Sequence, residues 1–328
     1  MDRIRLYHFS PFAYLILTAC GGGGGSSSQN LQFGGNIIKG PLSNATVFVD
    51  YDGDGILDSG EPSTTTDTNG AFTLTSTSST AQIVATTDAN TIDTSTGQSL
   101  AGVILKAPAG SKVVTPATTL IQETGMTSTE VADALGLTGV DLLNFNPFAA
   151  GADAATALKV EKVGQQIIAT ALSISTAAES SGASSLNAIN KSFGAIADLL
   201  KNKSAASPLD FTNTADLDAI KTSAISKLSS DITNTAAFNA VISDAITAAK
   251  NVNTSINTAT DISSQASKNI FTNVTVLKSQ IKTATEAEIA TPGSGTINFT
   301  DPTKVTEAAQ NAAPTDIALS NTSIAENA

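Results

Sequence analysis

Five carboxylates are concentrated in one twelve-residue segment, residues 50–61. They occupy segment positions one, three, five, nine and twelve, with a glycine at position six. Alternate residues of a tight loop converge on one point, and calcium takes about six to eight oxygen ligands at about 2.3–2.6 Å. The pattern therefore predicts a calcium loop with the following ligands: the carboxylates of Asp50, Asp52, Asp54, Asp58 and Glu61 and the backbone carbonyl of Ile56.

The setting of this segment indicates how such a loop would work. Gly55 permits the sharp turn, and the Glu61 carboxylate can close the metal shell with both oxygens. We expect the Ile56 side chain to pack inward, and we expect mutual repulsion to leave the loop disordered or strained without a cation. An acidic turn that binds no ion is the alternative. A β-strand pattern at residues 45–49 precedes the loop. This disfavours an EF-hand, in which a helix would precede the calcium loop.

A second acidic stretch contains Asp88, Asn90 and Asp93. It has the oxygen donors of another ion site, but its composition is also that of a polar turn. We predict the turn.

The sequence holds one histidine, His8, and one cysteine, Cys20. The rest of the chain therefore lacks the ligands of the usual zinc sites, a Cys–His nucleophile, a serine triad and any disulfide. Lys191 precedes Ser192, and Ser226 precedes Lys227. Neighbours on a helix point about 100° apart, so both pairs are predicted to be solvated surface. We therefore expect no enzymatic activity.

The start of the chain has the features of an export leader. A mostly apolar stretch at residues 9–17 is shorter than the roughly 20 residues that span a bilayer as a helix. The ending Leu17-Thr18-Ala19-Cys20 resembles the lipobox of bacterial lipoproteins. That resemblance implies a signal peptide at residues 1–19, a lipid on Cys20 and a Gly/Ser tether over residues 20–35. An ordinary secretory leader is the alternative.

The formal net charge is −12. Such a chain is a poor partner for nucleic acid and for anionic lipid surfaces, so we expect no nucleic-acid binding and contact with a membrane only through the lipid anchor. Gly21, rather than an acidic residue, follows the cysteine. This resembles the pattern of Gram-negative lipoproteins sorted to the outer membrane. The expected location is therefore exported and lipid-anchored, at the outer membrane or cell surface.

The pattern of elements changes once along the chain. Short β-type runs separated by Asp-Gly and Asn-Gly turns predict a small all-β sandwich over residues 36–107. Apolar residues at three and four spacing then predict an α-helical bundle over residues 108–290, and a linker follows at residues 291–312. The fold class is thus a multi-domain chain with a disordered N-terminal tether and a C-terminal linker. The first predicted helix begins at Pro116 and is capped by Thr115, and the second follows its cap Ser128. Five further helices are predicted over residues 153–178, 184–201, 214–229, 235–250 and 260–290.

Residues 39–47, the acidic loop and residues 66–74 together resemble the carboxypeptidase-regulatory-like and B-repeat sandwich modules of bacterial surface proteins. Modules of those families are non-catalytic, and their calcium loop stiffens a stalk. The resemblance implies a structural role for the loop carboxylates. The segment from the Thr115-Pro116 run through Phe148 resembles a helical region of large bacterial surface proteins, and no activity comes with that resemblance.

The end of the chain, residues 313–328, resembles the first strand of a bacterial cadherin-like repeat. In a complete repeat, the resemblance implies that Glu326 would help to hold calcium between domains. An isolated strand is unstable, so we expect the chain to be a fragment of a longer protein. A disordered polar tail is the alternative.

These features predict a non-enzymatic, membrane-anchored cell-surface protein with a calcium-stiffened stalk module and an adhesive or structural role. Its expected partner is a cell-surface or matrix protein or a glycan. The alternative is a periplasmic or surface lipoprotein that binds a glycan or small ligand through its helical region. An extracellular hydrolase is a remote alternative.

Overall fold

The computed structural model describes residues 31–297 and Phe299. Ten strands occupy the first part and seven helices the second, which confirms the predicted β region followed by a helical bundle. The leader, the lipid site Cys20, most of the tether and the cadherin-like strand with Glu326 lie outside the described residues. In the part of the chain that is described, no helix combines the length and the hydropathy needed to cross a membrane.

The β region forms three small sheets. Their strands are β1 (Leu31–Ile37), β2 (Leu42–Ser43), β3 (Thr46–Asp50), β4 (Ser63–Thr65), β5 (Ala71–Ser76), β6 (Gln82–Thr86), β7 (Ile92–Asp93), β8 (Gln98–Ser99), β9 (Ile104–Ala107) and β10 (Val113–Val114). The spatial orders are β10-β1-β5, β2-β7-β8 and β4-β3-β6-β9. All of these neighbours are antiparallel except β1 and β10, which are parallel.

The strands extend beyond residues 36–107 at both ends. Leu31 pairs with Ser76, and Val113 pairs with Asn36. The sequence pattern misses the start of β1 because Gly34 and Gly35 interrupt it. A Cβ at Gly35 would lie 2.5 Å from the Lys112 carbonyl oxygen. Glycine is therefore needed there for the close approach of the chain before β10.

Seven helices follow the strands. They are α1 (Pro116–Thr124), α2 (Ser128–Ala134), α3 (Ala154–Ser180), α4 (Ser185–Leu200), α5 (Thr214–Leu228), α6 (Thr235–Asn257) and α7 (Gln265–Ala290). Thr115 caps α1 as predicted. The predicted cap of α2 is wrong by one residue, because Thr127 and Glu130 form a reciprocal capping box.

The last two helices differ from their predicted bounds. Helix α6 continues to Asn257 because Val252 and Ile256 extend its buried face. Helix α7 begins only at Gln265, because Asp261 accepts hydrogen bonds from the backbone amides of Ser263 and Ser264 and holds the chain in a turn.

The β region and the helices share one hydrophobic core, since their buried apolar residues form a single cluster. Charged side chains also lie at the contact. Lys39, before β2, forms a 3.1 Å ion pair with Asp93 of β7, and both side chains are almost fully buried. Glu161 of α3 lies within the electrostatic influence of this pair and is itself 2% exposed. The β region is therefore joined to α3 by a buried polar cluster as well as by apolar packing.

Candidate metal centre

Asp50 is the last residue of β3, and the strand register fixes the place of its carboxylate. It lies opposite Gln82, the first residue of β6. The Asp50 side chain is buried, whereas the loop that follows is mostly exposed. The acidic loop therefore leaves the four-stranded sheet from a buried anchor.

The carboxylate oxygens of Asp50, Asp52 and Asp54 include a set that lies within 4.8 Å of one another. Asp52 and Asp54 are exposed. Oxygen ligands at about 2.3–2.6 Å from a shared cation lie at separations of this size. These three residues could therefore hold a metal ion, as the sequence predicts for the first half of the loop.

Both oxygens of Asp50 organise the loop backbone. The Gly53 amide donates to one oxygen at 2.6 Å, and the Gly55 amide donates to the other at 2.9 Å. Gly55 has a φ of +79°, in the left-handed region that glycine adopts without strain. Only the tip of the Lys106 side chain lies within 4 Å of a Cβ built there. Backbone conformation, rather than lack of space, is therefore the reason for this glycine.

The two exposed carboxylates make the local hydrogen bonds of Asx turns. Asp52 accepts from the Asp54 amide at 3.2 Å, and Asp54 accepts from the Ile56 amide at 2.7 Å. The prediction that the Ile56 side chain packs inward is wrong, because this side chain is 47% exposed. The loop runs outside the sheet, so no core lies on that side of it.

Asp58 and Glu61 lie outside the group of three converging carboxylates. The two Glu61 oxygens instead accept hydrogen bonds from the backbone amides of Tyr51, at 2.6 Å, and Asp58, at 2.9 Å. Glu61 thus ties the end of the loop to its beginning. Each carboxylate oxygen has a second lone pair, so these bonds leave Glu61 able to act as a ligand.

The negative charges of the loop affect the pKa of Asp58. Its pKa is raised above the ordinary value, first by partial desolvation and then by the negative charges of Asp54, Asp52, Glu61 and Asp50. A bound cation would oppose this effect, because it attracts the ionised form of each carboxyl.

The second acidic stretch is a turn and a buried ion pair. Asp88 accepts from the Asn90 amide at 2.8 Å, as the turn prediction implies. Asp93 is buried, pairs with Lys39 and accepts from the Ser95 hydroxyl at 2.6 Å. Asp88 and Asn90 therefore share a turn, whereas Asp93 belongs to a separate buried ion pair.

Sequence reasoning missed Gln82. Its amide nitrogen donates to Asp50 at 2.8 Å, and its amide oxygen accepts from Gln122 of α1 at 2.9 Å. Only the β3–β6 register brings Gln82 to this place, and no local motif marks it. The candidate metal centre is thus connected to the first helix by side-chain hydrogen bonds.

The adjacent serine and lysine residues on α4 do not form a pair. Ser192 is fully buried and donates to the Ala188 carbonyl at 2.7 Å, whereas Lys191 forms an ion pair with Asp231. The prediction that Ser192 is solvated is therefore wrong. It lies on the buried face of α4.

Comparisons of the chain with protein-family models, with curated proteins and with solved structures find no match.

Proposed function

We propose that this chain is a non-enzymatic cell-surface protein whose β region is stiffened by calcium bound at residues 50–61. The observation that carries the proposal is the convergence of the Asp50, Asp52 and Asp54 carboxylates at the end of β3. Asp50 belongs to a strand with neighbours on both sides. A cation held there would join the exposed loop to the sheet and restrict its motion.

The donor set favours calcium. The candidate ligands are carboxylates and one backbone carbonyl, and the only histidine and cysteine of the sequence are His8 and Cys20. Zinc prefers nitrogen and sulfur ligands, whereas magnesium requires near-ideal octahedral geometry and retains several waters. Calcium accepts a flexible shell of many oxygens, which a loop of five carboxylates supplies.

Relief of repulsion is the source of the stiffening. Five carboxylates within the loop repel one another, and a bound cation replaces this repulsion by attraction to a shared centre. Extracellular calcium modules bind with dissociation constants of about 10⁻⁴–10⁻³ M. At about a hundred times the dissociation constant, calcium would add about 2.7 kcal/mol to the free energy of unfolding.

The test is calorimetric titration of the purified full chain with calcium, paired with thermal unfolding in calcium and in a chelator. We expect binding and a higher unfolding temperature in calcium. The double variant Asp52→Asn with Asp54→Asn should lose both effects, and Glu61→Gln should weaken them if Glu61 joins the shell. Asp244→Asn is the matched control, because Asp244 is an exposed carboxylate on α6 away from the loop.

Two results would contradict the calcium proposal. One is the absence of calcium binding by the unmodified chain. The other is a calcium-induced rise in unfolding temperature that is as large in the double variant as in the Asp244→Asn control, because binding would then lie elsewhere.

The proposed placement at the cell surface rests on the lipobox resemblance at Cys20, and the proposed adhesive role rests on the resemblances to B-repeat and cadherin-like modules. The placement is tested by mass spectrometry of the peptide that begins at Cys20 in membrane fractions. We expect a mass increase from acylation at that residue. An unmodified Cys20 in the membrane fraction would remove the anchor from the proposal without affecting the calcium site.

A second candidate function is the binding of a small ligand by the helical region. The observation that favours it is a cavity of about 320 Å³ between the β region and helices α3 and α7.

A further inference from the structure

A second cavity, of about 650 Å³, lies where the first turns of α3, the segment before them and the turn between α6 and α7 meet. Its apolar wall contains Phe148 of that segment, Leu158 of α3 and Ile262 of the turn, together with several alanines. Each of these three large side chains is only partly buried, so each has surface left for a ligand to contact. Small-molecule sites commonly have a volume and an apolar lining of this kind.

The hydrophobic core leaves part of this apolar wall unused. Leu158 packs against the core, whereas Phe148 and Ile262 are not among the described residues that belong to the core or pack against it. Ala154 and Ala155, which also line the cavity, are exposed. The wall therefore offers a ligand apolar surface that other parts of the described chain do not cover.

Hydrogen bonds to the backbone order both sides of the cavity. On one side, the Asn146 side chain accepts from the Phe148 amide at 2.8 Å. On the other side, the Ser264 hydroxyl accepts from the Ser267 amide and caps the start of α7. The walls are thus ordered by the chain itself, which reduces the entropic cost of binding a ligand between them.

Asp261 gives the cavity a negative charge, and it is the only charged residue among the described residues that line it. The backbone amides of Ser264 and Ser263 hold the pKa of its carboxyl at about 2, so the group is ionised at neutral pH. Both amides donate to the same oxygen, Oδ1. Among the described residues, the other oxygen, Oδ2, has only a 3.4 Å contact with the Thr260 hydroxyl. It can therefore accept hydrogen bonds from a ligand.

The polar side of the cavity suits a cation. Within residues 31–297, Asp261 forms no ion pair at 4.0 Å or less. Thr260 and Ser263 also line the cavity and are exposed, and their hydroxyl oxygens can accept further hydrogen bonds. An ammonium group has three donors for these acceptors, whereas an anion would be repelled by the carboxylate.

We propose that this cavity binds a small organic ammonium with an apolar body. The ammonium donates to Oδ2 of Asp261, and the body lies against Phe148, Leu158 and Ile262. An uncharged apolar molecule would remove water from the carboxylate without replacing its hydrogen bonds, and methylammonium would leave the apolar wall without a contact. The cavity shares no residue with the calcium loop, so this proposal does not depend on calcium binding.

The test is an NMR titration of the purified full chain with 2-phenylethylammonium. Two further probes each lack one half of this ligand: 2-phenylethanol lacks the charge, and methylammonium lacks the apolar body. We expect 2-phenylethylammonium to bind more tightly than either. Added salt should weaken its binding, because Asp261 is partly exposed and its charge is screened by ions in solution.

The charged contact is tested by Asp261→Asn, which removes the charge and keeps an oxygen that can accept the two backbone bonds. This variant should bind 2-phenylethylammonium about fivefold more weakly and 2-phenylethanol as before, because only the charge-assisted bond is lost. Asp210→Asn is the matched control, since Asp210 also accepts from a backbone amide, that of Thr212, and lies outside the cavity. It should bind both probes like the unmodified chain.

The apolar contact is tested by filling the cavity. Ala155 is the second residue of α3 and lines the cavity, so Ala155→Phe should block 2-phenylethylammonium and 2-phenylethanol alike. Ala236→Phe is its control, because Ala236 is the exposed second residue of α6 and lies outside the cavity.

Four results would overturn the ammonium proposal. They are the absence of 2-phenylethylammonium binding, equally tight binding of 2-phenylethanol to the unmodified chain, unchanged affinity of Asp261→Asn for 2-phenylethylammonium, and equal binding by Ala155→Phe and Ala236→Phe.

Discussion

Gln82 donates a 2.8 Å hydrogen bond to the Asp50 carboxylate, and the same side chain accepts a 2.9 Å bond from Gln122 of α1. A glutamine on β6 therefore orients the buried carboxylate of the candidate metal centre. Partners of metal-ligating groups commonly fix ligand orientation in this way.

We predict that Gln82→Ala weakens calcium binding about tenfold, because Asp50 loses its only side-chain donor among the described residues. Gln122→Ala should have a smaller effect, since it removes only the hydrogen bond between Gln122 and Gln82 and leaves the bond between Gln82 and Asp50. Calorimetric titration of both variants measures the two affinities. Equal affinity of Gln82→Ala and the unmodified chain would show that the hydrogen bond does not position Asp50.

We predict that Gly55→Ala costs roughly 1–2 kcal/mol in the free energy of unfolding, because alanine is strained at the positive φ of this position. Gly164→Ala is the control. Gly164 lies within α3, and the nearest contact of a Cβ there is Pro116 at 4.0 Å. That variant should be stabilised by roughly 0.5–1 kcal/mol. Urea unfolding of both variants measures the two changes in the free energy of unfolding, which should have opposite signs. A decrease in both variants would contradict the conformational explanation.

We predict that stability falls with rising pH because of Glu161. The pKa of Glu161 is raised to about 7, mainly because burial disfavours the charged form. This value already includes smaller contributions: the hydrogen bond from Gln165 and the Lys39 charge lower the pKa, and the Asp93 charge raises it. Between pH 4.5, the ordinary pKa of a glutamic acid side chain, and about pH 7, Glu161 keeps its proton in the folded protein but has lost it in the unfolded chain. The free energy of unfolding therefore decreases through this window, by a few kcal/mol in total, and the contribution is constant above it.

Glu161→Gln separates this effect from the other carboxyl groups. Glutamine resembles the protonated acid and can keep the bond from Gln165, which measures 2.6 Å. Urea unfolding at about pH 5 and about pH 8 should show a smaller loss of stability in Glu161→Gln than in the unmodified chain. The exposed Glu286→Gln variant should retain the full loss. Identical pH dependence in all three proteins would exclude Glu161 as the source.

We predict that Asn273→Val stabilises the protein by about 1 kcal/mol. Asn273 of α7 is fully buried, and neither its amide nitrogen nor its amide oxygen has a hydrogen-bond partner among the described residues. Removing an unsatisfied buried amide removes its desolvation cost. The control is Asn253→Val on α6, because Asn253 is equally buried but donates to Thr170 and to the Phe211 carbonyl. That variant should be destabilised, and destabilisation of Asn273→Val as well would indicate a buried water bound to Asn273.

Local features could be predicted from the sequence because their physical causes lie within a few residues. Thr115 and Pro116 determine the start of α1, and the β-type runs mark most of the longer strands. The first three loop aspartates converge because alternate residues of a tight turn point to one centre. These features are therefore determined by the local sequence.

Features that depend on distant residues could not be predicted. Leu31–Ile37 is a strand because it pairs with β5 and β10, and Ile56 is exposed because the sheet lies on the other side of its loop.

The sequence by itself determined the order of β region and helices, the cap of the first helix and the oxygen-rich acidic loop, because these depend on short-range periodicity and turn chemistry. Only the tertiary structure decided that Gln82 supports Asp50, that Glu161 is buried beside the Lys39–Asp93 pair and that Lys278 of α7 donates to the Ala101 carbonyl. Strand register and helix packing bring these groups together across long stretches of chain, and burial then changes the energetic cost of their charges.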